Sequence, residues 1–538
     1  MSRSPARRAP VDKASVGARL FKRRLKVQQE RRTRRETSLR RALASRRGSA
    51  FGPRAILRRA PAAAWMCALI ALLNGAAWSI ITPPFQGRDE PAHFAYVQQL
   101  AETGTLPRTV TEEHLEYSPE ETLVLEGLHA LTIQGIPQIP ALSSMSQQRV
   151  LLQDVHAGLS REGGGEAGVA TPEPPLYYAL ETIPYALGAN NVLSQLELMR
   201  LFDSLIAAVT VLLTFLFLRE ILPGVPWAAT VGALCVAVQP LFGFMSGALN
   251  PDDMVYAVSA ALFLCLARAF RRGLTRAGAI VLGVLIVVGL LTKLTFVGVA
   301  LGVFASLVLL GVRESRSRGR QALVPVAIAA GIGVAPVALY ALVNTLSGKP
   351  AFGFTSGLAT IFANGSIFHE ISYVWQLYLP RLPGMTDYFR GISTYRDIWF
   401  DRFVGLYGWL DTQFPNWVEN VAVVPVTAIA LLCARALVIR RQAVRARWLE
   451  LASYAAISLG TLLMVGLVSY DGNAVQHQES FVDPRYLLPL LPLLGAVVVL
   501  ALRGAGRRWA PMAGAVIVFA FLAHDIFSQL QEIARYYG

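Results

Sequence analysis

The sequence predicts an all-α polytopic membrane protein of about eleven transmembrane helices, with interfacial helices in its external loops. Three observations carry this. Of 538 residues, 54% are hydrophobic and the mean hydropathy is +0.44, which excludes a large soluble enzyme. Long apolar segments recur at about 64–82, 199–218, 226–247, 253–270, 277–293, 295–312, 321–343, 421–438, 449–469, 486–503 and 510–527. Each is near the ~20 residues that cross ~30 Å of hydrocarbon. Arginine clusters fill alternate connections between them, as the positive-inside rule requires.

Residues 1–60 come first. They hold twenty Lys and Arg against three acids, so the net charge of +15 belongs to this segment and the remainder is close to neutral. With no periodic apolar run, it reads as a disordered cytoplasmic tail whose partners are anionic membrane lipids, and no nucleic-acid role is needed to explain it. Residues 61–538 form one transmembrane domain. Its first apolar stretch is long enough to span, so no cleavable signal peptide is expected. Cys67, Cys235, Cys265 and Cys433 all lie inside apolar segments and read as small buried residues, with no disulfide framework or metal site.

Sidedness turns on residues 176–188, a shorter apolar stretch. If they do not span, Arg219, Arg268 to Arg272, Arg313 to Arg320, Arg435 to Arg447 and Arg503 to Arg508 all face the cytoplasm. If they span, every cluster is inverted. The expectation is therefore eleven spans in a plasma membrane, with an interfacial or re-entrant 176–188, a cytoplasmic N-terminus and an external C-terminus. The external side then receives the loops 83–198 and 344–420, the turns at 247–253 and 471–485, and the break near Lys293.

The first loop opens with RDEPAHFAYVQQLAETGTLP at 88–107. Pro91 suits the first helical position with Glu90 as its cap. Phe94, Val97, Leu100 and Ala101 recur at helical spacing, and Gly104 with Pro107 supplies a stop, so an amphipathic helix along the bilayer surface is expected. Asp89 and Glu90 either cap that helix and favour its positive end or form a chemical site with Arg88 and His93. Asp89 and His93 are four apart and share a face. Further on, GGGEAG at 163–168 lacks the features of a phosphate-cradling loop and reads as a flexible tip. The proline-rich run from Thr171 leads to Tyr177 and Tyr178, which anchor at the interface or wall a pocket beside Asp89.

The later external motifs are shorter. Asn250, Asp252 and Asp253 lie between two spans, where an acid can cap a helix, yet adjacent acids at membrane depth are unusual. Lys293 interrupts an apolar run and either snorkels to headgroups or meets an anionic ligand. The loop 344–420 is rich in Trp, Tyr and Phe, suited to an aromatic belt or to stacking on sugar rings. It also holds a glycosylation sequon at Asn364. Arg485 and Tyr486 enter a span from outside. Either Asp483 balances that arginine, or a lipid phosphate meets its planar fork.

An Asp-Glu pair outside the first span followed by H-F-A-Y and L-A-E-T-G, then P-P-L-Y-Y and a late R-Y-L-L-P, resembles the GT-C membrane glycosyltransferases. The nearest group is that of bacterial protein-mannosyltransferases and lipid-A aminoarabinose transferases. The resemblance implies a GT-C-like fold, with Asp89 as catalytic carboxylate, Glu90 its neighbour in the site, and Arg485 near the donor phosphate. It also implies chemistry without a cofactor. A divalent metal held by Asp89, His93 and Asp252 is the alternative. The acceptor-binding domain found at the C-terminus of some relatives is missing, which leaves the acceptor open among envelope glycans, lipids and proteins. An external site has no nucleotide sugars, so the sugar arrives on a polyprenyl phosphate. Its transfer needs cations for the phosphate and a base for the incoming hydroxyl, and single displacement inverts the sugar. The competing reading is a transporter or flippase for a lipid-linked or anionic envelope precursor. Inverted repeats would favour it, and none is visible. A scaffold role leaves the Asp89 motif unexplained.

Overall fold

The computed structural model describes residues 60–107, 116–136, 140–141, 158–164, 169–188, 191–346, 367–472 and 482–538. The basic tail, the sequon at Asn364 and residues 165–168 of the glycine-rich stretch lie outside them. Among the described residues the chain is helical apart from one two-stranded antiparallel ladder, Leu406–Tyr407 against Thr412–Gln413. It is a multi-pass membrane protein. Among the described residues eight helices are long and apolar enough to cross a bilayer, and nine if a bent pair counts as one span.

The bent pair, Pro226–Ala237 and Pro240–Ser246, turns by 61°. Pro240 cannot continue the first helix, and Gln239 caps the second by accepting from the Phe242 amide at 2.6 Å. Two other expected spans take different forms. Residues 277–293 become a helix of only 15 residues, Arg276–Leu290, which leaves Lys293 in a turn. Residues 486–503 and 510–527 run together in Leu491–Tyr537, broken where Gly506 takes φ 83°, a conformation open to glycine. The doubtful segment folds as Leu176–Leu187, whose 12 residues reach only ~18 Å and cannot cross.

The helix after Asp89 runs Glu90–Thr103 and stops at Gly104 with φ 68°, where the stop was expected. Its first ten residues leave no apolar face free for lipid, however. Every residue from Glu90 to Gln99 is buried, because Phe85, Tyr177, Tyr178 and Leu249 cover faces that the apolar pattern alone left open.

Helix polarity sorts the charges. Val192–Ile221 carries Arg200 and Asp203 in its first half and Glu220 near its end. Asp252–Arg272 begins with its acids and ends on Arg271 and Arg272. Glu220 pairs with Arg268 and Arg272, and Arg447 donates to the Ile221 carbonyl, so the arginine-rich ends gather at one end of the bundle. The motifs around Asp89 gather at the other, ~30 Å away along a 21-residue helix.

Candidate active site

The site is built on the break after the first span. Helix Ala62–Ile81 ends in Thr82, and the chain turns through Pro83, Pro84 and Phe85 before Asp89. Arg200, from the next span, ties this turn down. Its guanidinium donates to the carbonyls of Ser79, Thr82 and Pro83 at 3.1, 2.8 and 2.8 Å, and to both oxygens of Glu90 at 2.7 and 2.5 Å. Glu90 also accepts from the amides of Gly87 and Leu249. A β-carbon on Gly87 would stand 3.1 Å from the Glu90 carboxyl and 2.6 Å from Ala248, so the turn closes only with glycine there.

This corrects two expectations for Glu90. It is the first residue of its helix, and Asp89 holds the cap position. Its carboxylate is fully buried and fully hydrogen-bonded, which leaves it no atom for chemistry. Asp89 does not cap either. Its backbone is left-handed at φ 59° and its side chain accepts no amide of the helix, although Asp caps well in general. The carboxylate turns instead to Arg485, with Nη2 donating at 2.6 Å.

Arg485 stands in the short 3-10 helix Pro484–Leu490, which Asp483 caps by accepting the Arg485 amide at 3.0 Å. Its Nε lies 3.4 Å from Asp483 and 3.8 Å from Asp252, and Nη2 also reaches the Tyr486 hydroxyl at 3.0 Å. Lys293 pairs with Asp252 at 2.9 Å and approaches the Asn250 side-chain oxygen at 3.5 Å. Three carboxylates (Asp89, Asp252 and Asp483) thus meet the cations Arg485, Lys293 and Arg88. Only Asp89 is open, its side chain 26% exposed against 3–8% for Asp252, Asp483, Arg485 and Lys293. Arg485 keeps Nε and Nη1 buried without a hydrogen bond. Unused donors of that kind suit an anion.

His93 and Tyr178 form the adjoining wall. Nδ1 of His93 meets the Tyr178 hydroxyl at 3.0 Å, while Nε2 is buried without a partner. Tyr178 stacks on Tyr96 at 3.7 Å between centroids. Burial, followed by the charge of Lys293, pushes the His93 imidazole down to about 3, so it is neutral at neutral pH. Burial pushes the Asp89 carboxyl up, but Arg485, His93 and Lys293 outweigh it and hold the group at about 2.

Eight expected site residues therefore come together: Asp89, His93, Tyr178, Asn250, Asp252, Lys293, Arg485 and Tyr486. Four stand behind them. Arg88 pairs with Asp483 and donates to the Leu406 and Gly408 carbonyls, which fastens the loop to the two-stranded ladder. Tyr177 donates to Asp203 at 2.6 Å, and Asp253 accepts from Ser246 at 3.2 Å. Glu90 is held by Arg200. Each of these four is anchored to a neighbour in the protein, although Asp253 keeps its Oδ2 buried without a hydrogen bond. Arg200 and Asp203 were missed by the sequence reading. The signal was available, since two ionisable residues within an apolar run are costly without a purpose. Among the described residues no group of three or more His, Cys, Asp or Glu side chains could hold a metal ion.

The sequence family described as predicted membrane protein (DUF2142) matches residues 72–494. No curated protein matches the chain. Among solved structures it is similar to the oligosaccharyltransferase of Archaeoglobus fulgidus in its apo form, at 11% identity and a TM-score of 0.40 over 88% of this chain. The same enzyme tethered to an acceptor peptide containing the NVT sequon gives 12% and 0.39. The chain spans about half the length of these structures, 56% and 55%.

Proposed function

This chain belongs to the DUF2142 family of predicted membrane proteins, and from there we propose that it is a membrane glycosyltransferase. It moves a sugar from a polyprenyl-phosphate donor to an envelope acceptor, a glycan, lipid or protein, with Asp89 as general base. The observation that carries this is the state of Asp89. It is the one open carboxylate of a buried charged cluster, released from capping and set against an arginine with unused donors.

The step follows from those contacts. Arg485 and Lys293 receive the donor phosphate, which supplies an acceptor for Nη1 of Arg485, buried without a hydrogen bond. Drawing the guanidinium towards phosphate weakens its hold on Asp89 and restores the basicity that the pair suppresses. Asp89 then takes the proton of the acceptor hydroxyl as its oxygen bonds to the anomeric carbon. The bond from that carbon to the phosphate oxygen breaks, the sugar inverts, and polyprenyl phosphate leaves with the electron pair. Asn250 and Asp252 hold Lys293 in place. Tyr178 orients His93, whose Nε2 faces the site as a neutral group.

One observation favours transport instead. The 61° break between Pro226–Ala237 and Pro240–Ser246 is the kind of discontinuous span that transporters use at a binding site. The test separates the two readings. Purified protein in liposomes is given a polyprenyl-phosphate sugar and a hydroxyl acceptor. Asp89→Asn keeps the size of the side chain and removes its basicity, so transfer should fall by about a hundredfold or more while the protein still accumulates as a folded, monodisperse species. Wild-type activity in Asp89→Asn would overturn the mechanism, and donor translocation without any transfer product would favour the transporter.

A further inference from the structure

The opposite end of the bundle carries a second cluster of cations. A cavity of about 290 Å³ opens between the arginine-rich helix ends, lined among others by Phe270, Arg271, Arg313, Arg447, Trp448 and Glu450. Its acids are already engaged. Glu450 accepts both Nε and Nη2 of Arg447, at 2.8 and 2.6 Å, and the Tyr454 hydroxyl at 3.0 Å. Glu220, on the adjoining helix end, pairs with Arg268 and Arg272.

Its cations are not equally engaged. Arg271 is exposed and makes no ion pair or hydrogen bond among the described residues. Arg313 lies over the Phe270 ring at 5.8 Å, 3.6 Å from the neighbouring Glu314, and its Nη1 is buried without a hydrogen bond. Arg503 is close enough to Arg271, Arg440 and Arg447 to be repelled by each. Arg271 thus adds charge that no carboxylate balances, and the buried Nη1 of Arg313 is a donor that no acceptor fills, so an anion would complete both. Trp448, exposed at the rim at the start of helix Trp448–Tyr470, is the residue type that settles at the headgroup level of a bilayer.

We propose that this cavity binds a phosphate group, with Arg271 and Arg313 as its ligating cations and Trp448 as its rim. It is separate from the Asp89 cluster, since Asp252 and Arg271 mark opposite ends of one 21-residue helix. The phosphate belongs either to the headgroup of an anionic lipid or to a soluble phosphate, and the experiment tells them apart. The full chain, purified in neutral detergent, is titrated with phosphatidylglycerol and followed by native mass spectrometry. Inorganic phosphate is titrated separately and followed by its phosphorus NMR linewidth. The variants are Arg271→Gln, Arg313→Gln and their combination. Arg381→Gln is the charge-matched control, since Arg381 is exposed and lies 3.9 Å from Asp387, away from the cavity.

Each arginine removed at the cavity should weaken retention of the lipid about fivefold, while Arg381→Gln should leave it at the wild-type level. Melting temperatures should move little, because Arg271 makes no ion pair or hydrogen bond among the described residues and Arg313 makes only a contact with the adjacent Glu314 and with the Phe270 ring. Lipid retention that depends on Arg271 and Arg313 and resists inorganic phosphate identifies a headgroup. Linewidth broadening that depends on both arginines, without lipid retention, identifies a soluble phosphate. Equal lipid retention and equal linewidths across wild type, double variant and control would overturn the proposal. Neither arm involves sugar transfer, so the result stands apart from the reading of the Asp89 site.

Discussion

Asp89 and Glu90 are adjacent carboxylates, and each faces an arginine from a distant part of the chain. Around Glu90 everything is closed. Arg200 donates to it twice, three carbonyls take the other Arg200 donors, and two backbone amides fill the carboxylate. Around Asp89 much is left open. One hydrogen bond joins it to Arg485, two Arg485 nitrogens have none, and solvent reaches the carboxylate. The first pair locks the turn between a span and its following helix. The second can exchange partners without unfolding anything. Hydrogen-bond satisfaction, more than residue type or burial, separates a structural ion pair from one able to act on a ligand.

The largest effect should come from breaking the closed pair. Arg200→Met leaves the Glu90 carboxylate buried without a cation and frees three helix-end carbonyls. Removing one partner of a buried pair costs about 3–5 kcal/mol, so the variant should fail to accumulate as a monodisperse protein in detergent. Asp89→Asn, one residue away from Glu90 in sequence, should accumulate normally. Wild-type yield and melting temperature for Arg200→Met, read by fluorescence-detected size exclusion, would erase the distinction drawn between the pairs.

Weakening the open pair should act on the donor and spare the fold. Arg485→Lys keeps the charge and can still meet Asp89, but it cannot offer the planar fork to phosphate. Losing one charge-assisted bond of about 1.5–3 kcal/mol corresponds to a donor KM raised roughly tenfold or more. Unchanged donor KM in a transfer assay would make Arg485 a structural residue like Arg200.

Much of this arrangement is legible in the sequence. Apolar runs mark the spans, arginine clusters mark one end of the bundle, and Gly104 marks the end of the helix after Asp89. The DEPAHFAY motif singles out the residue that proves open. What the sequence does not reveal is partnership. Arg200 reaches Glu90 across 110 positions and Arg485 reaches Asp89 across 396. No periodicity encodes either contact. For the same reason the helix from Glu90 reads as a surface helix, since its burial depends on Tyr177, Tyr178 and Leu249 arriving from elsewhere. Lys293 resembles a snorkelling lysine until the end of helix Arg276–Leu290 leaves it in a turn against Asp252.

The smallest effect is a pH dependence, and it tests the open site without touching Arg485. His93 is held at about 3 in the folded protein by burial and by Lys293, below the ~6.5 of a free imidazole. Between those values the unfolded chain binds a proton that the folded chain refuses. Stability contributed by His93 is therefore complete above about pH 6.5 and declines as pH falls towards 3. Asp89, held at about 2, adds a loss of the same sign, but only below about pH 4. At pH 5 the His93 contribution lost is about 2 kcal/mol, one and a half pH units at about 1.4 kcal/mol each. The melting temperature of wild type in detergent should fall between pH 7 and pH 5. His93→Gln, which can still bond Tyr178 and does not titrate, should fall less. An identical acid sensitivity in the two proteins would mean that His93 is protonated at pH 5 in the folded state. The wall beside Asp89 would then be cationic, and the neutral role given to Nε2 would be untenable.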